Sequence, residues 1–401
     1  MSEGTLPHSA VLAAPKPAAA AARAEAATGA SAIPWFIWSS IAAITSAKIG
    51  GEWDISWHMS IGRDAFLTAP HVMIYLCGVI AGITCGYLIL RTTFDPASPL
   101  RASSVHVLGF QAPVGAFIAA WGGIAMIASA PFDNWWHNAY GLDVTVISPP
   151  HILLIAGTAA VGFGTLVLIL GRMNRAEGRE RRALELMFLY IGSILLPATL
   201  VFESSFMQLM HNAEFYRAVC MAMPIALIAM AIGSGNRWGA TWVAGFYTAT
   251  YLAFEWILPR FHAEPKLGPV YQPVTHFIPL GFPLLLIVPA LVMDVLRPRL
   301  AGWNAWLQSA LLGAAFLASF IAVQWPFADF LISPYARNWI FGASYFPYQA
   351  NYDAEHPPYA FWHFDATPRR FWLVMAAALL SAIISTRVGI GWGTWMRKVR
   401  R

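Results

Sequence analysis

The strongest constraint on this chain is a succession of uninterrupted apolar stretches, each about the length that carries an α-helix across a bilayer. Their bounds fall near 33–51, 69–90, 105–130, 150–171, 184–203, 215–233, 238–258, 274–296, 304–332 and 371–392. The stretches are continuous rather than alternating, so they read as helices and not as barrel strands. Only 11% of the residues are charged while 58% are hydrophobic, against about 25% charged in a soluble domain. The expected fold class is all-α, a polytopic transmembrane helix bundle of about ten spans.

Charge placement orients the expected bundle. Residues 1–32 are rich in Ala and Pro and lack the apolar core of a signal peptide, so they read as a disordered tail. Of the 25 Lys and Arg, 17 lie in this tail, in the 91–104 and 172–182 loops, at Arg237, Arg297 and Arg299, and from Arg387 to the C-terminus. The positive-inside rule then puts both termini in the cytoplasm of a multi-pass protein of the cell inner membrane. The formal charge of +5 does not point to nucleic acid, because the basic residues sit in short loops where they set orientation. Cys77, Cys85 and Cys220 lie inside apolar stretches and form no CxxC pair. They argue neither for a disulfide framework nor for a thiolate metal site.

The histidines gather at the other face. His58, His71, His137, His151, His211, His262, His276, His356 and His363, nine of 11, fall in outward loops or at outward ends of spans. Two stretches concentrate them. In EWDISWHMSIGRDAFLTAPH, Asp54 and His58 are four apart and share a helical face, while His71 follows Pro70 at the head of the next span. In DNWWHNAYGLDVTVISPPH, Asp133 and His137 repeat that spacing and His151 follows Pro150. Two imidazoles and a carboxylate suit Cu(II), Zn(II) or non-haem Fe(II), and a three-donor set leaves room for water, dioxygen or substrate. The structural alternative makes the aspartates helix caps, the histidines interfacial hydrogen-bonding groups, and Trp135, Trp136 and Tyr140 an aromatic belt. Arg63 and Asp64 read either as an interfacial ion pair or as groups that orient the donors, and Asp143 holds the place matching Asp64.

The run DISWHMSIGRDAFLTAPH at 54–71 resembles the metal-binding stretch of the C subunit of copper membrane monooxygenases, the particulate methane and ammonia monooxygenase family. It carries that family's D-x-S-W-H-M, its R-D pair and its proline-led histidine. The resemblance implies that Asp54, His58 and His71 are copper ligands. In the neighbouring copper site of the family, an Asn precedes two histidines. His137 and His151 match those histidines, whereas Asp133 replaces the amide with a carboxylate. The resemblance covers about residues 33–171, a four-span metal-binding region. The six-span region 172–401 has no recognised counterpart in that subunit, nor is there a cupredoxin-like region, so the chain reads as a distant relative.

Further candidates lie in 172–401. Glu203, His211 and Glu214 share one outward turn, and Glu255, His262 and His276 surround the next. The aromatic, proline-rich loop 333–369 adds Asp353, Glu355, His356, His363 and Asp365, and reads first as an interfacial lid. The functional expectation is an integral membrane copper protein. As an enzyme, it would use copper at Asp54, His58 and His71 to oxidise a small apolar substrate from the lipid with dioxygen, at a periplasm-facing site. Asp133, His137 and His151 form a second metal site in this reading, and partner subunits or further copies of the chain complete the assembly. The alternatives are a copper permease or acceptor, and a non-catalytic membrane scaffold subunit.

Overall fold

The computed structural model describes residues 33–62, 66–141, 148–196, 212–266, 274–342 and 367–400. Its helices are α1 (Trp35–Ser60), α2 (Ala69–Phe94), α3 (Val114–Tyr140), α4 (Pro149–Met173) and α5 (Gly178–Leu195). These are followed by α6 (Ala213–Ser234), α7 (Gly239–Ile257), α8 (Ile287–Leu296), α9 (Ala305–Ile332) and α10 (Pro368–Met396). The chain is an all-α helical bundle. Six of these helices, α2, α3, α4, α6, α9 and α10, are long and apolar enough to cross a membrane. That makes it a multi-pass membrane protein by length and composition.

Two expected spans take another form. Residues 105–113 do not extend α3. Val105–Val107 and Phe110–Ala112 pair as a two-stranded antiparallel hairpin. Its turn has positive φ at both Leu108 (50°) and Gly109 (85°), the geometry that matches strand twist in a two-residue loop. Nor is 274–296 one helix: only Ile287–Leu296 is helical. Pro279, Gly281 and Pro283 break the preceding segment. Its backbone is nonetheless buried, with Ile278 7% and Leu284 3% exposed. Side chains from three helices take up the freed groups. Ser56 donates to the Ile278 carbonyl (2.6 Å), Ser60 Oγ accepts from Ile278 N (2.7 Å), Tyr247 OH accepts from Leu284 N (3.2 Å), and Gln324 accepts from Leu285 N (3.1 Å). Irregular backbone inside a bundle persists only when satisfied in this way.

The first four helices form two antiparallel hairpins. In α1/α2, Ser39 meets Thr84 (2.7 Å), and Ser46 donates to the Met73 carbonyl (2.5 Å). At Gly50 a Cβ would lie 2.7 Å from Ile74 N and 2.9 Å from the Pro70 carbonyl, so glycine sets the closeness of this crossing. In α3/α4, Gly122 does the same, 2.6 Å from the Gly157 carbonyl. By contrast, α6 and α10 run parallel. Gly389 packs on Ile225 and Ile228, Gly393 on Ala229 and Ile232. Pro224 interrupts the α6 ladder, and Ser385 Oγ accepts from Ile225 N (2.9 Å). One apolar cluster runs from Ile37 through Met126, Leu184 and Leu227 to Met396. The bundle therefore has two chemically distinct ends. The Asp54, His58, His71, Asp133, His137 and His151 positions share one, and Arg91, Arg172, Arg175 and Arg397 the other.

Candidate metal centres at the histidine-rich end

Each candidate cluster is built by the same local rule. Helix α1 runs on past the expected apolar stretch to Ser60, so Asp54 and His58 stand one turn apart near its end. Thr68 caps α2, Pro70 occupies the first turn, and the Thr68 hydroxyl accepts from His71 N (3.4 Å). His71 is thereby fixed as the third helical residue, facing back across the turn. In the second hairpin α3 carries Asp133 and His137 to its end at Tyr140. Ser148 caps α4, Pro149 and Pro150 open it, and Ser148 Oγ accepts from His151 N (3.5 Å). The helix caps of this pattern are Thr68 and Ser148, not the aspartates.

The structure brings together all three residues of both predicted sets. His58 Nε2 lies 3.6 Å from Asp54 Oδ2, and His71 Nε2 lies 3.4 Å from Asp54 Oδ1. His137 Nε2 and His151 Nε2 lie 3.7 and 3.4 Å from the same oxygen, Asp133 Oδ1. These separations exceed the usual N–H···O length of about 2.7–3.2 Å. Donors held roughly 2.0–2.1 Å from a shared tetrahedral ion stand about 3.3 Å apart, close to the carboxylate–imidazole spacings seen. Asp133 Oδ1 is buried and accepts no hydrogen bond from the described residues, a position in which a carboxylate oxygen needs a cation or a donor. Imidazole and carboxylate are donor types that a nitrogen/oxygen-ligated metal takes. Among the described residues, however, no group of three or more His, Cys, Asp or Glu is arranged so that it could hold a metal ion.

The surroundings of the clusters differ. In the first, the His58 side chain is 50% exposed and that of His71 is 14% exposed. Tyr75 packs on the His71 ring at 5.8 Å between centroids and donates to the Phe66 carbonyl (3.2 Å). Trp57 lies against Phe277 (6.0 Å), and Lys266 N donates to the Ile61 carbonyl (2.9 Å). Ile61, Leu258, Ala263 and Phe277 close an apolar roof beside it. The second cluster has an aromatic collar of its own. Trp136 and Tyr140 pack at a tilt with ring centroids 4.5 Å apart, and Phe132 stacks on Trp135 at 6.0 Å, with Trp135 and Tyr140 exposed.

Other sequence candidates separate. His262 and His276 pair through an antiparallel bridge, with ring centroids 5.9 Å apart; His262 is exposed and His276 half-buried. Glu255 is buried away from solvent beside Gly342, and Glu214 accepts from Arg217 Nε (2.5 Å). Arg63, Asp64, Asp143, Glu203, His211, Asp353, Glu355, His356, His363 and Asp365 lie outside the described residues. Lys48 lies within α1, its side chain only 9% exposed. Its ammonium binds Glu52 and sits over the Tyr251 ring (4.3 Å), and Tyr251 OH donates to Glu52 Oε1 (3.1 Å). The i, i+4 spacing of Lys48 and Glu52 was the available sign of this pair.

No family model, no curated protein and no solved structure matches the chain.

Proposed function

We propose that this chain is an integral membrane copper-binding protein of the copper membrane monooxygenase C-subunit type, with ten spans, both termini cytoplasmic and its metal sites facing the periplasm across the inner membrane. One observation carries the reading: two hairpins independently end in an aspartate flanked at 3.4–3.7 Å by two imidazole nitrogens. A single such meeting is ordinary interfacial chemistry. Its repetition with a hydroxyl cap, a proline just before the second histidine and the same i, i+4 aspartate–histidine spacing favours ligand sets. Asp54, His58 and His71 would hold the catalytic copper, and Asp133, His137 and His151 a second ion. Bound copper supplies one-electron chemistry toward dioxygen, with electrons from an external donor. The chain's own residues do the rest. Asp54 supplies charge, the Thr68 cap fixes the His71 backbone, Tyr75 fixes its ring, and the Trp57–Phe277 roof limits water. A small apolar substrate would reach the half-exposed His58 side from the lipid.

The test is metal analysis and Cu(II) spectroscopy of the purified protein beside His58→Ala and His71→Ala. The reading expects copper in the wild type and its loss from the first site in both variants. Copper content unchanged in both removes the first cluster from consideration. A second reading, copper transport, draws on the buried Lys48–Glu52–Tyr251 group, since ionisable residues inside a span often mark a path. Copper uptake into proteoliposomes separates it from the enzyme, and co-purifying subunits would mark a scaffold.

A further inference from the structure

The arginine-rich end holds a cavity of about 360 Å³ where the first four helices meet the 98–103 turn. Its lining is mostly apolar and includes Leu88 of α2, Leu168 of α4 and Trp35 of α1. Trp35 is exposed and packs on Tyr87 (5.8 Å), the amphipathic placement of an interfacial aromatic. Three arginines belong to the same lining: Arg91, Arg172 and Arg175. Their acidic neighbours are fewer. Asp95 lies 3.9 Å from Arg91 Nε, and Glu180 accepts from Arg172 Nε (2.5 Å). Arg175 donates to a backbone carbonyl, that of Arg400 (3.1 Å), and pairs with no carboxylate among the described residues. Burial, and then the Arg172 charge beside it, push the Arg175 guanidinium below its ordinary pKa. Among the described residues, three arginines thus meet two carboxylates, with Arg172 and Arg175 adjacent, beside a mostly apolar lining.

We propose that this cavity binds an anionic phospholipid, its phosphate held by Arg91, Arg172 and Arg175 and the start of an acyl chain lying along Leu88 and Leu168. Free phosphate matches only the charged half of the site. A zwitterionic lipid matches the apolar half but brings its own cation to a wall of three arginines. A basic pocket between helix ends, flanked by an interfacial tryptophan, is the arrangement that selects anionic headgroups. The inference is independent of the metal reading, because the cavity lies at the opposite end of the bundle.

The experiment titrates delipidated full-length protein with phosphatidylglycerol, phosphatidylcholine or inorganic phosphate, and counts retained lipid by native mass spectrometry. Phosphatidylglycerol should bind at least about fivefold more tightly than phosphatidylcholine, roughly fivefold for each arginine engaged. Arg175→Gln should lose about one such factor and leave phosphatidylcholine binding unchanged. Arg299→Gln, at the same end but outside the cavity, should keep the preference. Equal binding of the two lipids overturns the proposal. So does inorganic phosphate matching phosphatidylglycerol, which makes the ligand a free anion, and so does an equal loss in Arg299→Gln, which makes the effect general surface charge. A photoactivatable phosphatidylglycerol on the wild type gives a check that needs no variant. Cross-links should map to 88–103 and 167–175, and cross-links scattered over the bundle would overturn the assignment.

Discussion

The two hairpins present the same donors from the same positions, yet they are held in place differently. The α1/α2 cluster is tied to the far part of the chain. Ser56 and Ser60 grip the backbone of Ile278, Lys266 N reaches the Ile61 carbonyl, and Trp57 packs on Phe277. Among the described residues, the α3/α4 cluster is flanked by aromatics of its own helix, Trp136 tilted on Tyr140 and Phe132 stacked on Trp135. The donor arrangement therefore belongs to the hairpin, while enclosure of the site belongs to residues more than two hundred positions away. Packing contributed from far along the chain can control access to a site, while the second cluster's side chains are the more evenly enclosed, 17–29% exposed against 14–50% in the first.

The largest effect should separate the clusters outright. His71→Ala should weaken copper binding at the first site by at least about 10³-fold, or ~4 kcal/mol, and leave the second site's ion in place. His151→Ala should do the reverse. Metal stoichiometry on each variant reads this directly, and loss of both ions in either single variant would mean that the clusters form one centre. Next, Lys48→Ala strands Glu52 in the bundle interior, where breaking a buried ion pair costs about 3 kcal/mol. Thermal unfolding in detergent should show the loss. The α1-borne first site should lose metal at lower temperature than the second, and parallel loss would show that the hairpins do not behave separately.

The donor clusters were more legible in the sequence than the scaffold around them. Asp54–His58 and Asp133–His137 are local i, i+4 pairs, and Thr68-x-Pro70 and Ser148-x-Pro150 are helix starts readable from adjacent residues. Helix geometry then fixes where His71 and His151 point. The roof was not legible. Residues 274–286 score as an apolar span, and only the proline and glycine spacing at Pro279, Gly281 and Pro283 hints at a break. That the broken backbone could lie buried depended on Ser56, Ser60, Tyr247 and Gln324, which come from three other helices. The 105–113 hairpin was concealed by the same apolar composition, although its Leu-Gly turn was present. Composition finds apolar length, but it does not find which backbone groups are satisfied by partners far along the chain.

A smaller effect tests the carboxylate in the second cluster. Asp133→Asn replaces the buried charged oxygen facing His137 and His151 with a neutral amide of nearly equal shape. Copper affinity there should fall about tenfold, or ~1.4 kcal/mol, while the first cluster is untouched. Competition with a chromophoric chelator would measure it, and an unchanged affinity would show that the Asp133 charge contributes nothing to binding.

The smallest expected difference bears most directly on how the hairpins are held. Thr68→Ala and Ser148→Ala each remove a hydroxyl that accepts from the backbone N–H of a cluster histidine, a change worth about 1 kcal/mol. If the caps served helix stability alone, both variants would lower Tm equally and leave metal affinity unchanged. The two settings predict otherwise. His71 keeps Tyr75 against its ring, and its hairpin keeps the Ile61–Phe277 roof, so Thr68→Ala should change copper affinity by less than about twofold. Ser148 is more deeply buried than Thr68, 3% against 9% exposed. Ser148→Ala should therefore weaken the second site by several-fold at a similar cost in Tm. Equal affinity losses in the two variants would place the difference between the clusters somewhere other than their packing.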